Sequence, residues 1–179
     1  DNWSHYTPVP GFLDLREAVC TKLKRDNNLD YKPENIVTST GAKQSLANAI
    51  LALAEEGDEV IIPTPYWVTY SELVKIARAT VVEAHTSLES GFKITAAQLE
   101  AAITPNTKVF MFSSPCNPSG AVYSKDELVA LAEVFRKHPQ IYIISDEIYE
   151  YINFVGKHES IAQFDAIKDQ VIIVNGLSK

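Results

Sequence analysis

The chain contains few sulfur-bearing side chains and no histidine cluster. Its two cysteines, Cys20 and Cys116, have neither a CxxC partner nor a nearby histidine at metal-ligand spacing. The sequence therefore gives no support for a disulfide framework. Two lone thiols are typical of a reducing compartment, so we expect a cytoplasmic protein. The four histidines lie in separate segments, and we predict no metal site from them.

Positive charge is also scarce. Lysine and arginine number 16 against 23 aspartates and glutamates, which gives a formal net charge of -7. The densest basic run, residues 22–25, is short and lies in a predicted helix, where it is best explained as a solvated face. Because nucleic-acid binding needs a positively charged surface, we expect no nucleic-acid partner. No apolar run is long enough to span a bilayer and no signal peptide is recognisable, so we expect no membrane partner.

What the chain does contain is an alternation of short apolar runs with helical patterns. It is 46% hydrophobic and 22% charged, which is enough apolar material for a substantial core. The runs are apolar at consecutive positions, as in parallel strands that are covered on both faces. Six strands are predicted in this way: 35–37, 59–62, 79–82, 108–112, 141–144 and 171–174. We therefore predict an α/β protein, with three α/β/α layers around a mostly parallel sheet.

Three helices are predicted between these strands from apolar residues at helical spacing. Their apolar stripes are Leu15, Ala18, Val19 and Leu23; Leu46, Ala49, Ile50 and Leu53; and Leu128, Leu131, Ala132 and Phe135. Ser124 and Glu127 form a capping-box pattern at the start of the third helix. Asp14 is predicted to cap the first helix, and Gly57 to stop the second.

The loops that follow the strands are the places to look for a ligand, because parallel α/β sheets bind ligands at the carboxyl ends of their strands. The segment Gly41-Ala42-Lys43 opens the second helix, where free backbone N–H groups and the helix dipole suit a phosphate. Tight packing of strand against helix explains these small residues about as well. Trp67 follows two prolines and could stack on a flat ligand, although core or rim packing is commoner for an isolated tryptophan.

Three more candidates follow strands. Asn117 lies between two prolines in a turn-rich loop, which would hold its amide in a fixed direction. Asp146 directly follows a buried strand, so its carboxylate needs a donor or a cation unless its pKa shifts. A helix N-cap is the first alternative for Asp146, and a metal ligand is the second. Lys179 follows the last strand and, taken alone, would be a solvated side chain.

Six motifs resemble, in their order along the chain, those of the fold-type I pyridoxal-5'-phosphate enzymes, specifically the class I and II aminotransferases. They are YTPVPGFLDLREAV, STGAKQ, PTPYW, SSPCNPSG, SDEIY and NGLSK. PYWVTY and NPSGAVYS are most similar to the bacterial aspartate aminotransferase branch. The resemblance implies transamination of an amino acid, with aspartate as donor and 2-oxoglutarate as acceptor. It also implies pyridoxal 5'-phosphate as cofactor and a homodimer whose small-molecule partners are an amino acid and a 2-oxo acid.

The resemblance further implies a role for each candidate residue. Lys179 would form the Schiff base with the cofactor and move the substrate proton. Asp146 would pair with the protonated pyridine nitrogen, and Trp67 would stack on the ring. Tyr149 and Asn117 would hydrogen-bond the phenolic oxygen of the cofactor. A lysine amine and a carboxylate beside the ring nitrogen are also what the chemistry of this cofactor requires.

Other implied positions concern the phosphate and the loops. Gly41, Ala42 and Lys43 would face the phosphate, and Tyr6 would reach the phosphate of the neighbouring subunit. Many relatives have a serine three residues before the lysine as a phosphate ligand, where this chain has Gly176. Ser114-Pro115 and Asn117-Pro118 are candidate cis peptide bonds.

The resemblance implies that residues 1–179 form part of the large, cofactor-binding domain and that the C-terminal small domain lies outside this sequence. The phosphate and substrate-carboxylate arginines would also lie outside this sequence, after Lys179. We therefore expect the isolated chain to be inactive, marginally stable and rich in exposed apolar surface. Four alternatives remain open: an aromatic or other amino acid aminotransferase, a C–S lyase of the same fold, a non-catalytic scaffold fragment, and a generic nucleotide-binding α/β domain. The last lacks any phosphate-loop motif.

Overall fold

The computed structural model of the chain describes residues 5–179. They fall into two units, which divide between Thr40 and Gly41. The first unit contains helix α1 (Leu13–Asn27) and a 3₁₀ turn (Pro33–Asn35), and the second contains the sheet with its helices. No helix within residues 5–179 combines the length and the apolar character needed to cross a membrane.

Arg16 holds the first unit together. Its guanidinium donates to the carbonyl of Gly11 (3.2 Å) and to that of Pro33 (2.8 Å), and so links α1 to the segments before and after it. The N-cap of α1 is Phe12, which has no side-chain cap. The prediction that Asp14 caps this helix was wrong, because the helix begins at Leu13, two residues before the start that an Asp14 cap implies. Asp14 lies in the first turn, where its negative charge interacts favourably with the helix dipole.

The strand predicted at 35–37 was also wrong. Pro33 has no N–H and a fixed φ, which suits the first position of a helical turn. The N–H of Ile36 donates to the Pro33 carbonyl at 3.2 Å, closing the turn. Val37 is 65% exposed, so the apolar run here does not enter a core. The segment is extended after the turn, but within the described residues it pairs with no strand.

In the second unit, five strands within residues 41–179 form one parallel sheet in the order β2-β1-β3-β4-β5. Their bounds are β1 Glu59–Pro63, β2 Thr80–Ala84, β3 Thr107–Ser113, β4 Tyr142–Asp146 and β5 Val171–Val174. Each lies close to a run that the sequence predicts, and the predicted parallel α/β fold is confirmed. Asp146 pairs in register with Val174, so β4 and β5 end side by side.

Helices cover both faces of this sheet, which gives the predicted three layers. Helices α2 (Ala42–Leu53) and α3 (Thr69–Ile76) pack on one face. Helices α4 (Ala96–Ala102) and α5 (Lys125–Phe135) pack on the other. Alternation along β4 places Ile143 in the core under α4 and α5 and Ile144 in the core under α2 and α3. Short 3₁₀ turns, Ile161–Gln163 and Lys168–Gln170, precede β5.

The start of α5 confirms the predicted capping box. Ser124 Oγ accepts the N–H of Glu127 (3.3 Å), and Glu127 Oε2 accepts the N–H of Ser124 (2.7 Å). Thr95 and Gln98 make the same exchange at the start of α4, a helix for which we made no prediction. Two donors at the start of each helix are satisfied in this way, which fixes where the chain enters the helix.

Candidate functional site at the carboxyl edge of the sheet

Hydrogen bonds join the loops at the carboxyl ends of β1, β3, β4 and β5. The N–H of Ser114, after β3, donates to the carbonyl of Asp146 at the end of β4 (3.3 Å). The Cys116 thiol donates to the carbonyl of Pro65, after β1 (3.4 Å). The N–H of Glu147, after β4, donates to the carbonyl of Val174, the last residue of β5 (2.8 Å). The edge is therefore one connected surface, as expected for the ligand-binding edge of a parallel sheet.

Asp146 is the charged group at the centre of this edge. Asp146 is the last residue of β4, and its side chain lies on the face of the sheet covered by α2 and α3. The residue is only 2% exposed. The Tyr70 hydroxyl donates to Oδ2 (2.6 Å), and the N–H of Ile148 donates to Oδ1 (3.2 Å). Burial raises the pKa of Asp146, although both hydrogen bonds act to lower it. No cation among residues 5–179 forms an ion pair with this carboxylate.

Tyr70 is a residue of this site that the sequence analysis missed. It lies in α3, is 1% exposed, and donates to Asp146. Burial and the adjacent Asp146 charge raise the pKa of its hydroxyl far above the ordinary value, so Tyr70 remains a hydrogen-bond donor. Tyr70 lies three residues after Trp67, a spacing that would place the two side chains on the same face of a helix. Because α3 was not predicted as a helix, the sequence did not show which way Tyr70 faces.

Trp67 and Lys43 continue this line of contacts towards the start of α2. The Trp67 and Tyr70 rings meet edge to face, with centroids 5.9 Å apart. Lys43 Nζ lies 4.9 Å from the centroid of the Trp67 ring, at the distance of a cation–π contact. Lys43, Trp67 and, through Tyr70, Asp146 are thus brought together from three separate segments.

The start of α2 presents unpaired backbone donors. Its N-cap is Gly41, with φ of 88° and no side chain to cap the helix. A positive φ of this size favours glycine. The N–H groups of Ala42 and Lys43 donate to no acceptor within the described part of the chain. Such a helix start has the donors and the dipole that suit an anion, and its role as a phosphate site stays a prediction.

Tyr149 and Lys179 lie together beyond the ends of β4 and β5. Lys179 Nζ is 6.0 Å from the centroid of the half-buried Tyr149 ring. Asp146 and Tyr149 belong to one turn, in which the N–H of Glu150 donates to the Glu147 carbonyl (3.0 Å). The amine, the phenol and the carboxylate therefore lie at the same end of the same two strands.

Asn117 lies in the loop after β3, half-buried, and its amide makes no hydrogen bond to any described residue. The Ser114-Pro115 and Asn117-Pro118 bonds are cis, as predicted, and Thr64-Pro65 is a third cis bond in the described chain. The Cys116 thiol described above ties this loop to that of Pro65. The structure thus places Asn117 at the predicted edge with its amide available to a ligand.

Two further positions have a simpler account. Tyr6 lies in the first unit, and its side chain is fully exposed. Its assignment to a neighbouring subunit stays a prediction. Gly176 packs closely on the turn after β4, since a Cβ added there would lie 3.1 Å from Ile148 Cδ1. A serine at this position would need Ile148 to shift.

A second group of polar side chains lies on the opposite side of the same turn. Glu147, Glu150 and His158 have ligand-capable atoms that all lie within 4.8 Å of one another. Glu147 and Glu150 are buried, and the His158 side chain is 8% exposed. We predicted no metal site from the histidines because they lie in separate segments. His158 is 11 residues from Glu147, and no local pattern predicts that the loop folds back.

Comparison with known proteins gives one family across the whole chain. The family model described as aminotransferase class I and II matches residues 1–179. A probable aspartate/prephenate aminotransferase of Rickettsia bellii is 48% identical over 181 residues, which cover 100% of this chain and 45% of the relative. The aspartate aminotransferase of Bacillus subtilis is 48% identical over 176 residues, which cover 97% of this chain and 44% of the relative.

Solved structures give the same result. The aspartate aminotransferase of Rhizobium meliloti superposes with a TM-score of 0.95 and 42% identity, covering 98% of this chain and 44% of that one. An aromatic aminotransferase of Pyrococcus horikoshii superposes with a TM-score of 0.93 and 38% identity, covering 98% of this chain and 47% of that one. The chain spans just under half the length of the relatives that it matches.

Proposed function

We propose, from the premise that the chain belongs to the aminotransferase class I and II family, that the whole protein transfers an amino group between an amino acid and a 2-oxo acid with pyridoxal 5'-phosphate as cofactor. The observation that carries this proposal is the buried Asp146 carboxylate. It lies at the ligand-binding edge of the sheet, is 2% exposed, and has two hydrogen-bond donors.

The surroundings of Asp146 fit a cofactor with a protonated pyridine nitrogen. A buried carboxylate is stable when a cation or several donors compensate its charge. Tyr70 and Ile148 supply two donors, no described cation forms an ion pair with it, and its pKa stays raised. A pyridinium N–H would supply the missing positive charge, and the carboxylate would keep that nitrogen protonated.

The remaining residues of the site would hold the other parts of the cofactor. Trp67 offers an aromatic surface for the ring, and Tyr149 and Asn117 offer polar groups for its phenolic oxygen. The unpaired N–H groups of Ala42 and Lys43, behind the N-cap Gly41, would bind the phosphate. Gly176 has no hydroxyl that could bind the phosphate, as a serine at this position would. The start of α2 would therefore supply more of the contacts to the phosphate.

Lys179 would bind the cofactor covalently and would then move the proton at the substrate Cα. The bound cofactor supplies the electron sink that makes this proton acidic. A positioned amine that transfers it is worth about 10²–10⁴-fold in rate. Lys179 lies beside Tyr149, and Asp146 ends the strand next to the one that precedes Lys179, which supports the proposal that one ligand contacts all three.

Aspartate is the proposed amino donor and 2-oxoglutarate the proposed acceptor. The names of the Rickettsia bellii and Bacillus subtilis relatives include aspartate, which supports aspartate as the donor. Prephenate is a second candidate acceptor, because several relatives are named aspartate/prephenate aminotransferases. We further propose a homodimer, in which Tyr6 of one subunit contacts the phosphate in the other.

The test uses the whole protein, loaded with pyridoxal 5'-phosphate. Conversion of aspartate to its 2-oxo acid is measured with 2-oxoglutarate or prephenate as acceptor, and with tyrosine in place of aspartate. Lys179→Ala should abolish conversion, whereas Lys75→Ala, which removes a lysine 64% exposed on α3, should leave it unchanged. An active Lys179→Ala variant would overturn the proposed function.

A further inference from the structure

A cluster of buried and half-buried polar side chains lies around the turn after β4, at the same end of the sheet as the site. We call it the inner polar cluster; its members are Ser145, Glu147, Glu150, His158, Ser160 and Asn175. Successive residues of a strand point to opposite faces, so Ser145 lies on the α4 and α5 side while Asp146 lies on the α2 and α3 side. The proposed function assigns no role to any member of the cluster.

Glu147 is the hub of this cluster. Its Oε1 accepts hydrogen bonds from the hydroxyls of Ser145 (2.9 Å) and Ser160 (2.7 Å). Its Oε2 contacts His158 Nε2 at 2.8 Å, and since the carboxylate oxygen accepts, Nε2 carries the proton. Glu147 therefore fastens the 158–160 loop onto the end of β4. Both carboxylate oxygens of Glu147 already accept hydrogen bonds, so its contacts favour a structural role over the binding of a cation.

Glu150 makes the corresponding link to the end of β5. Its Oε1 accepts the amide N–H of Asn175 at 2.8 Å. The Asn175 side-chain oxygen in turn accepts the N–H of Gly176 at 2.7 Å. Asn175 directly follows β5 and Lys179 lies four residues later. This path of two hydrogen bonds runs from the turn that bears Asp146 and Tyr149 into the segment that bears Lys179.

We propose that the inner polar cluster positions Lys179 relative to Asp146, with Glu150 and Asn175 as the positioning residues. This inference rests on the proposed function, since it concerns how the two groups meet one cofactor. Asp146 and Tyr149 face the ligand, while Glu147 and Glu150, alternating with them in the same turn, anchor the neighbouring segments. A displacement of about 1 Å between groups that act together can lower the reaction rate about 100-fold. The Glu150–Asn175 link therefore matters for function as well as for the stability of the fold.

The test exchanges the roles of donor and acceptor across the Glu150–Asn175 hydrogen bond. Asn175→Asp places two carboxylates together and removes the donor. The double variant Glu150→Gln with Asn175→Asp restores a hydrogen bond in the reverse direction, because the new amide donates to the new carboxylate. Gln140→Glu is the matched control, since it adds the same negative charge at an exposed residue before β4.

Two readouts are taken on the whole protein: the apparent affinity for pyridoxal 5'-phosphate, measured well below the unfolding temperature, and amide hydrogen exchange of residues 176–179 without cofactor. We expect Asn175→Asp to weaken affinity about 10- to 100-fold and to speed exchange. The double variant should recover both readouts to within about 3-fold of the original protein, and Gln140→Glu should change neither.

Several results would overturn the inference. Asn175→Asp could match Gln140→Glu in both readouts, or the double variant could fail to recover. A fall in affinity when a chelator removes divalent cations would show that the cluster holds a metal ion instead. If the original protein binds no pyridoxal 5'-phosphate, the proposed function fails, and hydrogen exchange alone still decides whether Glu150 and Asn175 hold the lysine segment.

Discussion

Replacement of Asp146 by asparagine should stabilise the cofactor-free protein at neutral pH and weaken its affinity for pyridoxal 5'-phosphate. The carboxylate is 2% exposed, and no described cation forms an ion pair with it. Asparagine has nearly the same shape and no charge. Its oxygen can still accept the Ile148 N–H, and the Tyr70 hydroxyl can turn to accept from its amide. The substitution therefore removes the charge and keeps the contacts.

The direction of this change in stability follows from the raised pKa of Asp146. Its folded-state pKa lies above the ordinary value of 3.8 because burial disfavours the charged form. The folded protein thus binds the proton more tightly than the unfolded chain does. The stability that this proton confers is fully present below the ordinary pKa and is lost as pH rises through the folded-state pKa. Above the folded-state pKa, the buried negative charge of Asp146 destabilises the fold. Asparagine carries no charge and so avoids this destabilisation.

The expected gain is about 1–3 kcal/mol, the usual cost of one imperfectly compensated buried polar group. A gain of this size should raise the unfolding temperature of the whole protein by a few degrees. Thermal unfolding of the cofactor-free protein is measured near pH 3.5, below the ordinary pKa of an aspartate, and near pH 8, far above it. The gain should appear at the higher pH and fade at the lower.

Asp165→Asn is the control, because Asp165 is exposed and its substitution should have little effect at either pH. With cofactor bound, the order should reverse, since only the original protein pairs a carboxylate with the pyridinium. The reasoning would be refuted if Asp146→Asn were less stable than the original at pH 8, or if its effect were the same at both pH values.

Three smaller predictions concern neighbouring contacts. Tyr70→Phe removes the donor 2.6 Å from Asp146 and should lower the free energy of unfolding at neutral pH by about 1.5–3 kcal/mol; unchanged urea unfolding would contradict this. Gly176→Ser adds a Cβ 3.1 Å from Ile148 Cδ1 and should cost about 1–3 kcal/mol, a loss that Ile148→Val in the same chain should relieve. Ser124→Ala removes the N-cap of α5 and should cost about 1 kcal/mol without any change in cofactor affinity.

The sheet could be predicted because its signal is local. Apolar residues at consecutive positions, as at 108–112 and 141–144, indicate burial on both faces. The first run lies within β3, and the second begins one residue before β4 and continues into it. The run at 35–37 also contains two apolar β-branched residues, but Pro33 starts a helical turn that includes Asn35. Short helices such as α4, with only seven residues, present too little apolar periodicity to be recognised from spacing alone.

The site could be predicted only as far as residues that directly follow strands. Asp146, Trp67 and Asn117 could be proposed because each follows a buried run, and parallel strands bring their carboxyl ends together. Tyr70 was missed because its role depends on the direction of a helix that was not predicted. The Glu147–His158 pair was missed because it joins a strand to a returning loop, and the hydrogen bonds that fold this loop back leave no periodic pattern in the sequence.

The central claim is that Lys179 is the residue that binds pyridoxal 5'-phosphate. The most direct measurement is borohydride reduction of the protein with the cofactor, followed by mass spectrometry of the peptides to locate the modified lysine. The competing amine in the same region is Lys43, which lies 4.9 Å from the centroid of the Trp67 ring. We predict that the label is on Lys179 and that Lys43→Arg leaves it there. Labelling on Lys43, or labelling that survives unchanged in Lys179→Arg, would contradict the account.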